Sequence, residues 1–138
     1  MNDVFKAIVD WFNADADLLE SIPGGLWLQE APPKDPAGTR PLPRPYAVFF
    51  GLGNDFTFTS GDPYIDIHGV QFSVFGNTQE ATEAGRAALR SRFDAQKLTM
   101  TGGASCMMCL PAGQSLTKET DETWHATIDY EIQVNRSL

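Results

Sequence analysis

The segment WHATIDYEIQV, residues 124–134, decides the fold because its apolar and polar residues alternate without a break. The residues of the apolar face are Trp124, Ala126, Ile128, Tyr130, Ile132 and Val134. The residues of the polar face are His125, Thr127, Asp129, Glu131 and Gln133, and Asn135 continues the row. This alternation is typical of a strand in an antiparallel sheet with one buried and one solvated face. At about 3.3 Å per residue the strand runs roughly 35 Å, so we predict that it extends beyond its own sheet.

Further strands are predicted upstream. The apolar run 46–50 indicates a strand buried on both faces, followed by a turn at 51–54 and a pairing strand that starts at 56–59. Residues 64–75 alternate with one phase change, which predicts a bulge at His68-Gly69. The residues on either side of this change are Ile65 and Ile67, then Val70, Phe72 and Val74. Short strands are expected at 26–29, 98–100 and 105–110.

Helices are predicted at 3–13, at 15–20 and, most clearly, at 77–97. The first has an apolar stripe formed by Val4, Phe5, Ile8, Val9 and Phe12. For the third, Asn77 is the expected cap, with Glu80 three residues later. The residues expected to line its buried side are Ala81, Ala84, Gly85, Ala88, Leu89 and Phe93. We therefore predict a single α+β domain, residues 1–138, in which an N-terminal helix and one main helix pack on an antiparallel (mixed) sheet.

The overall composition excludes several classes of protein. The chain has 138 residues, 42% of them hydrophobic, and a formal net charge of -8. This charge disfavours sequence-specific binding to a phosphate backbone, although a like-charged wall could enclose DNA without holding it. The sequence contains no apolar run of membrane-spanning length, and its start, with Asp3 and Asp10, does not resemble a signal peptide. We expect a cytoplasmic protein with reduced cysteines.

The segment 31–45 contains six of the nine prolines together with Lys34, Arg40 and Arg44. This density of proline predicts an extended surface loop that no sheet ladder holds. The three cations could form a partner-binding surface, with the loop acting as a mobile arm that reaches the acidic face of another copy. A solvated connection without a partner is an equally good interpretation.

Cys106 and Cys109 have the C-x-x-C spacing of redox and zinc sites. No helix follows them, because the segment LPAG at 110–113 is expected to end the strand. Residues three apart on a strand point to opposite faces, and His68 and His125 are the only histidines that could complete a zinc site. We interpret the cysteines as packing residues.

Other candidate sites lack the pattern that their chemistry requires. His125 and Asp129 with Ser73 or Thr127 could be a catalytic relay, but no strained nucleophile turn is present. The carboxylates at Asp62, Asp66, Asp121 and Glu122 do not follow calcium-loop spacing. Gly51-Leu52-Gly53 lacks the lysine and helix of a phosphate loop. No catalytic residue, cofactor or metal ligand is predicted.

The order of the motifs resembles the tail-completion, or tail-terminator, proteins of long-tailed bacteriophages and prophages. The motifs that carry this resemblance are DADLLESIPGGLWLQEAP, RPYAVFFGLG, IDIHGVQFSVFGNTQEATEAGRAAL and WHATIDYEIQV. The resemblance implies a ring, commonly a hexamer, that caps the tail tube and offers a surface to the head–tail connector. The implied partners are further copies of the chain, the tail-tube protein and the connector protein. The implied locations are the host cytoplasm during assembly and then the virion.

Two other classes of function remain open. A small enzyme or ligand-binding α+β domain would need a deep pocket with convergent polar groups. Another phage neck or connector subunit would share the assembly role but bind other partners.

The alternation of the last strand generates a test. We expect Ile128→Ala to lower the free energy of unfolding by about 2–5 kcal/mol, because it leaves a cavity in the core. Thr127→Ala, on the polar face, is expected to change it little. Chemical denaturation of both variants measures this difference, and small effects at both positions would contradict the assignment of faces.

Overall fold

The computed structural model describes residues 3–58, 63–100, 104–120 and 122–137. The helices are α1 (Asp3–Asn13), α2 (Ala16–Ser21) and α3 (Gln79–Phe93). The strands are β1 (Leu26–Leu28), β2 (Tyr46–Phe58), β3 (Pro63–Gly76), β4 (Ser105–Thr120) and β5 (Thr123–Ser137). Within the described ranges these strands form one sheet in the order β1-β2-β3-β5-β4. The predicted α+β class with a mixed sheet is confirmed, because β1 runs parallel to β2 and the other neighbours are antiparallel.

The strand β5 lies inside the sheet, paired with β3 on one side and β4 on the other along most of its length. The prediction that it extends beyond its own sheet is wrong, because its neighbours have 14 and 16 residues and β5 has 15. Its apolar row is buried as predicted, with Trp124 half-buried at one end. The buried members are Ala126, Ile128, Tyr130, Ile132 and Val134. We call the face that carries this row the inner face and the opposite face the outer face.

Aromatic side chains fill the centre of the core on the inner face. Phe72 of β3 lies between three rings, with centroid distances of 5.9 Å to Phe49, 5.0 Å to Phe93 and 5.6 Å to Tyr130. These rings come from β2, α3 and β5, so one contact cluster joins the sheet to its main helix. Offset and edge-to-face pairs of this kind add about 0.5–1.5 kcal/mol each beyond area burial.

A reciprocal contact joins α1 to α3. The indole Nε1 of Trp11 donates to the carbonyl of Arg92 at 2.8 Å, and Arg92 Nε donates to the carbonyl of Trp11 at 2.9 Å. The guanidinium also lies 3.8 Å from the centre of the Trp11 ring.

The bounds predicted for α1 are confirmed. The short helix α2 begins after the cap Asp15, whose carboxylate accepts from the backbone N–H of Leu18.

The main helix is shorter than predicted and has a different cap. Thr78, with extended backbone, accepts from the N–H of Ala81 at 3.1 Å, and α3 begins at Gln79, so the assignment of Asn77 as cap was wrong. The helix ends where the Asp94 carboxylate accepts from the hydroxyl of Tyr130 and from Arg90. Its buried residues are Thr82, Gly85, Leu89 and Phe93, whereas Ala84 is exposed.

The predicted turn at 51–54 is wrong, because β2 continues through it with a register shift between Gly51 and Gly53. The predicted bulge at His68-Gly69 is also wrong, because β3 pairs with β5 without a shift. The irregularity lies opposite, on β2, where glycine allows the required backbone. Ile67 therefore faces outward, and the phase change in the sequence reflects polar residues at inward positions of β3. Thr59 lies outside the described residues.

The strand β4 runs through Pro111, which had been expected to end it, and no strand forms at 98–100. Pro111 is tolerated because β4 is an edge strand and the register shifts between Pro111 and Gly113. The polar face is also less solvated than expected, since Thr127 is only 8% exposed and lies 2.6 Å from the Ser115 hydroxyl. Thr127→Ala is therefore a poor control for Ile128→Ala, and the exposed Asn135 is a better one.

No helix within the described ranges combines the length and apolar character needed to cross a membrane.

Gly85 allows α3 to approach the sheet closely. A Cβ at this position would lie 3.1 Å from Cγ1 of Val74 and 3.4 Å from Cγ1 of Ile22. We expect Gly85→Leu to lower the free energy of unfolding by about 1–3 kcal/mol through overpacking. The matched variant Ala87→Leu, at an exposed position of the same helix, should change it by less than about 0.5 kcal/mol. Equal stabilities in urea denaturation would contradict this close approach.

Candidate functional site

A network of charged side chains lies on the inner face where β3 and β5 meet the start of α1. Asp66, 3% exposed, accepts from Arg136 Nε at 2.7 Å and lies 2.8 Å from Nε2 of His68. Arg136 also donates to both carboxylate oxygens of Asp3, at 2.7 and 2.9 Å. The hydrogen bond from Arg136 lowers the pKa of Asp3, and the same contact raises the pKa of Arg136.

This network explains the phase change that had been interpreted as a bulge. Asp66 and His68 occupy positions of β3 that face the core, where the alternation would otherwise place apolar residues. Ile65 and Ile67 face outward. Arg136 makes the burial of Asp66 possible, since an unpaired buried carboxylate would be costly. The arrangement attaches the first residue of α1 to the sheet and is structural.

The cysteines lie on the same face, contrary to the prediction. A register shift between Cys106 and Met108 brings both thiols to the inner face, opposite Val134 and Ile132. Both are free and buried. Cys109 donates a hydrogen bond that lowers the pKa of Cys106 to about 6, and this bond together with burial raises the pKa of Cys109.

The histidines do not complete a zinc site with this pair. His68 and Cys109 lie opposite the same residue, Ile132, from two different neighbouring strands. Two strand spacings separate them, roughly 10 Å. His125 is on the outer face. Among the described residues no group of three or more potential metal ligands comes together, and Asp62 and Asp121 lie outside that part of the chain.

His125 belongs to a row of stacked rings on the outer face. Its ring lies 4.4 Å from that of Phe75, which lies 5.3 Å from that of Tyr46. His125 Nδ1 lies 2.9 Å from Glu119, and Nε2 is buried without a hydrogen-bond partner in the described chain. The proposed relay is not assembled, because Thr127 bonds to Ser115 and Asp129 makes no bond to His125 within the described ranges.

The proline-rich loop separates its three cations. Arg44 donates to Thr123 at 2.9 Å and to Asn77 at 3.3 Å, and it lies over the ring of Tyr46. Lys34 and Arg40 are exposed at the tip, with no ion-pair partner among the described residues. The expectation that no ladder holds the loop was wrong, because Lys34 and Pro41 form an isolated bridge.

Asp35 closes this tip. Its backbone N–H donates to the carbonyl of Arg40 at 2.9 Å, and its carboxylate accepts from the N–H of Thr39 at 3.1 Å. The tip is therefore a hydrogen-bonded turn that presents Lys34 and Arg40 together.

Two open features remain on the sheet. The first is the edge of β4, 16 residues long, which pairs with β5 and with no further strand in the described ranges. It is covered at Cys109, whose N–H donates to the carbonyl of Gln96 at 2.9 Å and whose carbonyl accepts from the N–H of Ala95 at 2.8 Å. The second is a groove of about 620 Å³ on the outer face. Its lining residues are Leu52, Gly53, Ile67, Gly69, Ala112, Asp129, Tyr130 and Glu131. The sequence did not predict this groove, because its residues come from four strands.

The fold is similar to that of a chain in the virion of a native gene transfer agent particle, with a TM-score of 0.69 at 16% sequence identity. The match covers 92% of this chain and 90% of that chain, and at this identity it shows the fold alone. A second solved chain, 19% identical, covers 95% of this chain and 91% of its own length, but its TM-score of 0.47 carries no argument. No protein-family model and no curated protein matches the chain.

The charge network generates a test of its structural role. We expect Arg136→Met to lower the free energy of unfolding by about 3–5 kcal/mol, because it removes the charged partner of the buried Asp66 and leaves only the contact with His68. Lys6→Met removes an exposed ion pair with Asp10 and should cost less than about 1 kcal/mol. Denaturation at neutral pH measures both variants.

The same network predicts a dependence on pH. Because its pKa is lowered from 3.8, Asp3 contributes stability that is complete above pH 3.8 and is lost as the pH falls through the lower folded value. The difference between Asp3→Asn and the unmodified chain should therefore shrink below that pH. A constant difference down to pH 2 would contradict the contact between Asp3 and Arg136.

Proposed function

We propose that this chain is a structural subunit of a phage or phage-like virion, and more specifically a tail-terminator-like protein that forms a ring on the tail tube. The observation that carries the proposal is the fold shared with a virion chain over 92% of this sequence. The order of sequence motifs supports the finer assignment to the tail terminators.

The edge of β4 supports self-association where it is open, beyond the bonds that Ala95 and Gln96 make to Cys109. An unpaired edge presents rows of backbone donors and acceptors that can bind another chain. At the opposite side of the sheet, β1 covers only Ala47–Phe49 of β2, so the rest of β2 has no described neighbour on that side. The two edges are different surfaces. A head-to-tail contact between them is heterologous, and such a contact gives a ring when the rotation between copies closes and a helical filament when it does not.

The net charge of -8 suits this role. A ring on a tail tube surrounds the path of the DNA, and an acidic wall lets a duplex pass without binding it. The proposed partners are further copies of the chain, commonly six in a ring, the tail-tube protein and the head–tail connector protein. The proposed locations are the host cytoplasm during assembly and then the neck of the virion.

One observation favours a second candidate, a ligand-binding domain. The row of rings on the outer face lines a groove of about 400 Å³ together with Gln71 and Ser73. A binder of a small aromatic ligand would use this groove as a monomer, so the state of assembly distinguishes the two functions.

Assembly can be tested with purified chain, alone and mixed with tail-tube protein. We expect native mass spectrometry to give a closed oligomer and electron micrographs to show rings at one end of each tube. Rings that bind a connector but no tube would indicate another neck subunit. A monomer under both conditions would refute the proposal.

Amide hydrogen exchange provides an internal control for the interface. Successive N–H groups of a strand point in opposite directions, so those of β4 that point toward β5 are protected in every state. The N–H of Cys109 points away from β5 but already donates to the carbonyl of Gln96 at 2.9 Å. The other N–H groups that point away from β5 should become protected only in the oligomer. Protection that does not change along β4 would exclude this edge from the interface.

A further inference from the structure

Two glycines, Gly53 and Gly69, line the outer-face groove, and a third, Gly113, follows its lining residue Ala112. Gly53 of β2 pairs with Gly69 of β3, and Gly69 pairs with Glu131 of β5. On the other side of β5, Gly113 of β4 pairs with Asp129. A Cβ at Gly53 or at Gly113 would meet nothing within 4 Å. At Gly69 a Cβ would lie 3.2 Å from the Cβ of Leu52. The glycines therefore leave a trough that is open at Gly53 and Gly113 and bordered by Leu52 at Gly69.

The trough is acidic on one side and apolar on the other. Asp129 and Glu131 are neighbours on the outer face of β5, and neither has an ion-pair or hydrogen-bond partner in the described chain. The buried oxygen Oδ1 of Asp129 is unsatisfied, which is costly for a carboxylate. Leu52 is 53% exposed at the apolar side. The groove therefore has the chemistry to receive a cationic segment with an apolar stem.

The loop tip supplies such a segment. Lys34 and Arg40 lie on the two sides of the turn that Asp35 closes, exposed and without ion-pair partners among the described residues. Prolines around them reduce the entropy that the segment would lose on binding. Arg44, in contrast, is held by Thr123 and Asn77 and fixes the base of the loop.

The base of the loop also lies on the outer face. Glu30 and Ala31 line the groove formed with Tyr46 and Phe75, at the side of the sheet where β1 is the edge. The acidic trough lies one strand from the other edge, β4. A head-to-tail contact between these two edges would place the loop of one copy beside the β4 edge of the next copy, near the trough.

We propose that the loop tip of one copy binds the glycine-lined trough of the adjacent copy, with Lys34 and Arg40 paired to Asp129 and Glu131. This inference rests on the self-association proposed above and assigns it a specific contact. It also gives the three cations different roles, because only Lys34 and Arg40 contact the neighbouring copy.

The contact can be tested by chemical cross-linking of the Lys34 amine to neighbouring carboxylates. A mixture of ¹⁴N-labelled and ¹⁵N-labelled copies is assembled and treated with a water-soluble carbodiimide, which links Lys34 to a touching carboxylate as an amide. We expect cross-linked peptides that join Lys34 of one isotope to Asp129 or Glu131 of the other. Cross-links confined to a single isotope, or their absence in an assembled sample, would overturn the contact.

Charge reversal gives a second, independent readout. We expect Lys34→Glu with Arg40→Glu to weaken self-association about tenfold or more at low salt. Asp129→Lys with Glu131→Lys, mixed with that variant, should restore it. The control Lys6→Glu makes half of this change in net charge at an exposed position of α1.

The outcomes separate the two proposals. If the unmodified chain assembles and the loop variant assembles as well as the control, the loop contact is wrong while the ring proposal stands. If the unmodified chain remains a monomer in analytical ultracentrifugation, both proposals fail.

Discussion

Burial of one face of β5 is the constraint on which the rest of the structure depends. Side chains alternate with a period of two, so a slip of one residue would bring Asp129 and Glu131 into the core and expose Ile128 and Tyr130. The register of β3 and β4 is fixed by the same requirement, since both pair with β5. The hydroxyl of Tyr130 then reaches Asp94 and determines where α3 ends.

The sequence predicted the elements whose own residues contain the pattern or the cap that defines them. The helix α1 has a complete apolar stripe, α2 has its own cap at Asp15, and β5 alternates over its whole length. The strands that were divided or shortened, β2 and β4, contain glycine and proline at register shifts. In isolation these residues indicate turns. Only pairing with a neighbouring strand shows that the chain continues through them.

The polar features were harder to predict because they depend on distant residues. Burial of Asp66 depends on Arg136, which lies 70 positions further along the chain, and on the neighbouring His68. The exposure of Lys34 and Arg40 followed from the composition of the loop, whereas the role of Arg44 depended on Asn77 and Thr123. The acidic trough depends on glycines that three different strands contribute. None of them is unusual in its own segment.

The irregularities of β4 have a consequence for the free chain before it meets any partner. Register shifts at Cys106/Met108, Pro111/Gly113 and Lys118/Thr120 divide its 16 residues, and the longest regular run is Gly113 to Lys118. Amyloid-like stacking needs a long, flat and unbroken strand as a template. Proline and bulges interrupt such a strand. The chain therefore offers a poor template for fibril growth along β4. Its edge remains available only to a surface that reproduces the same interruptions.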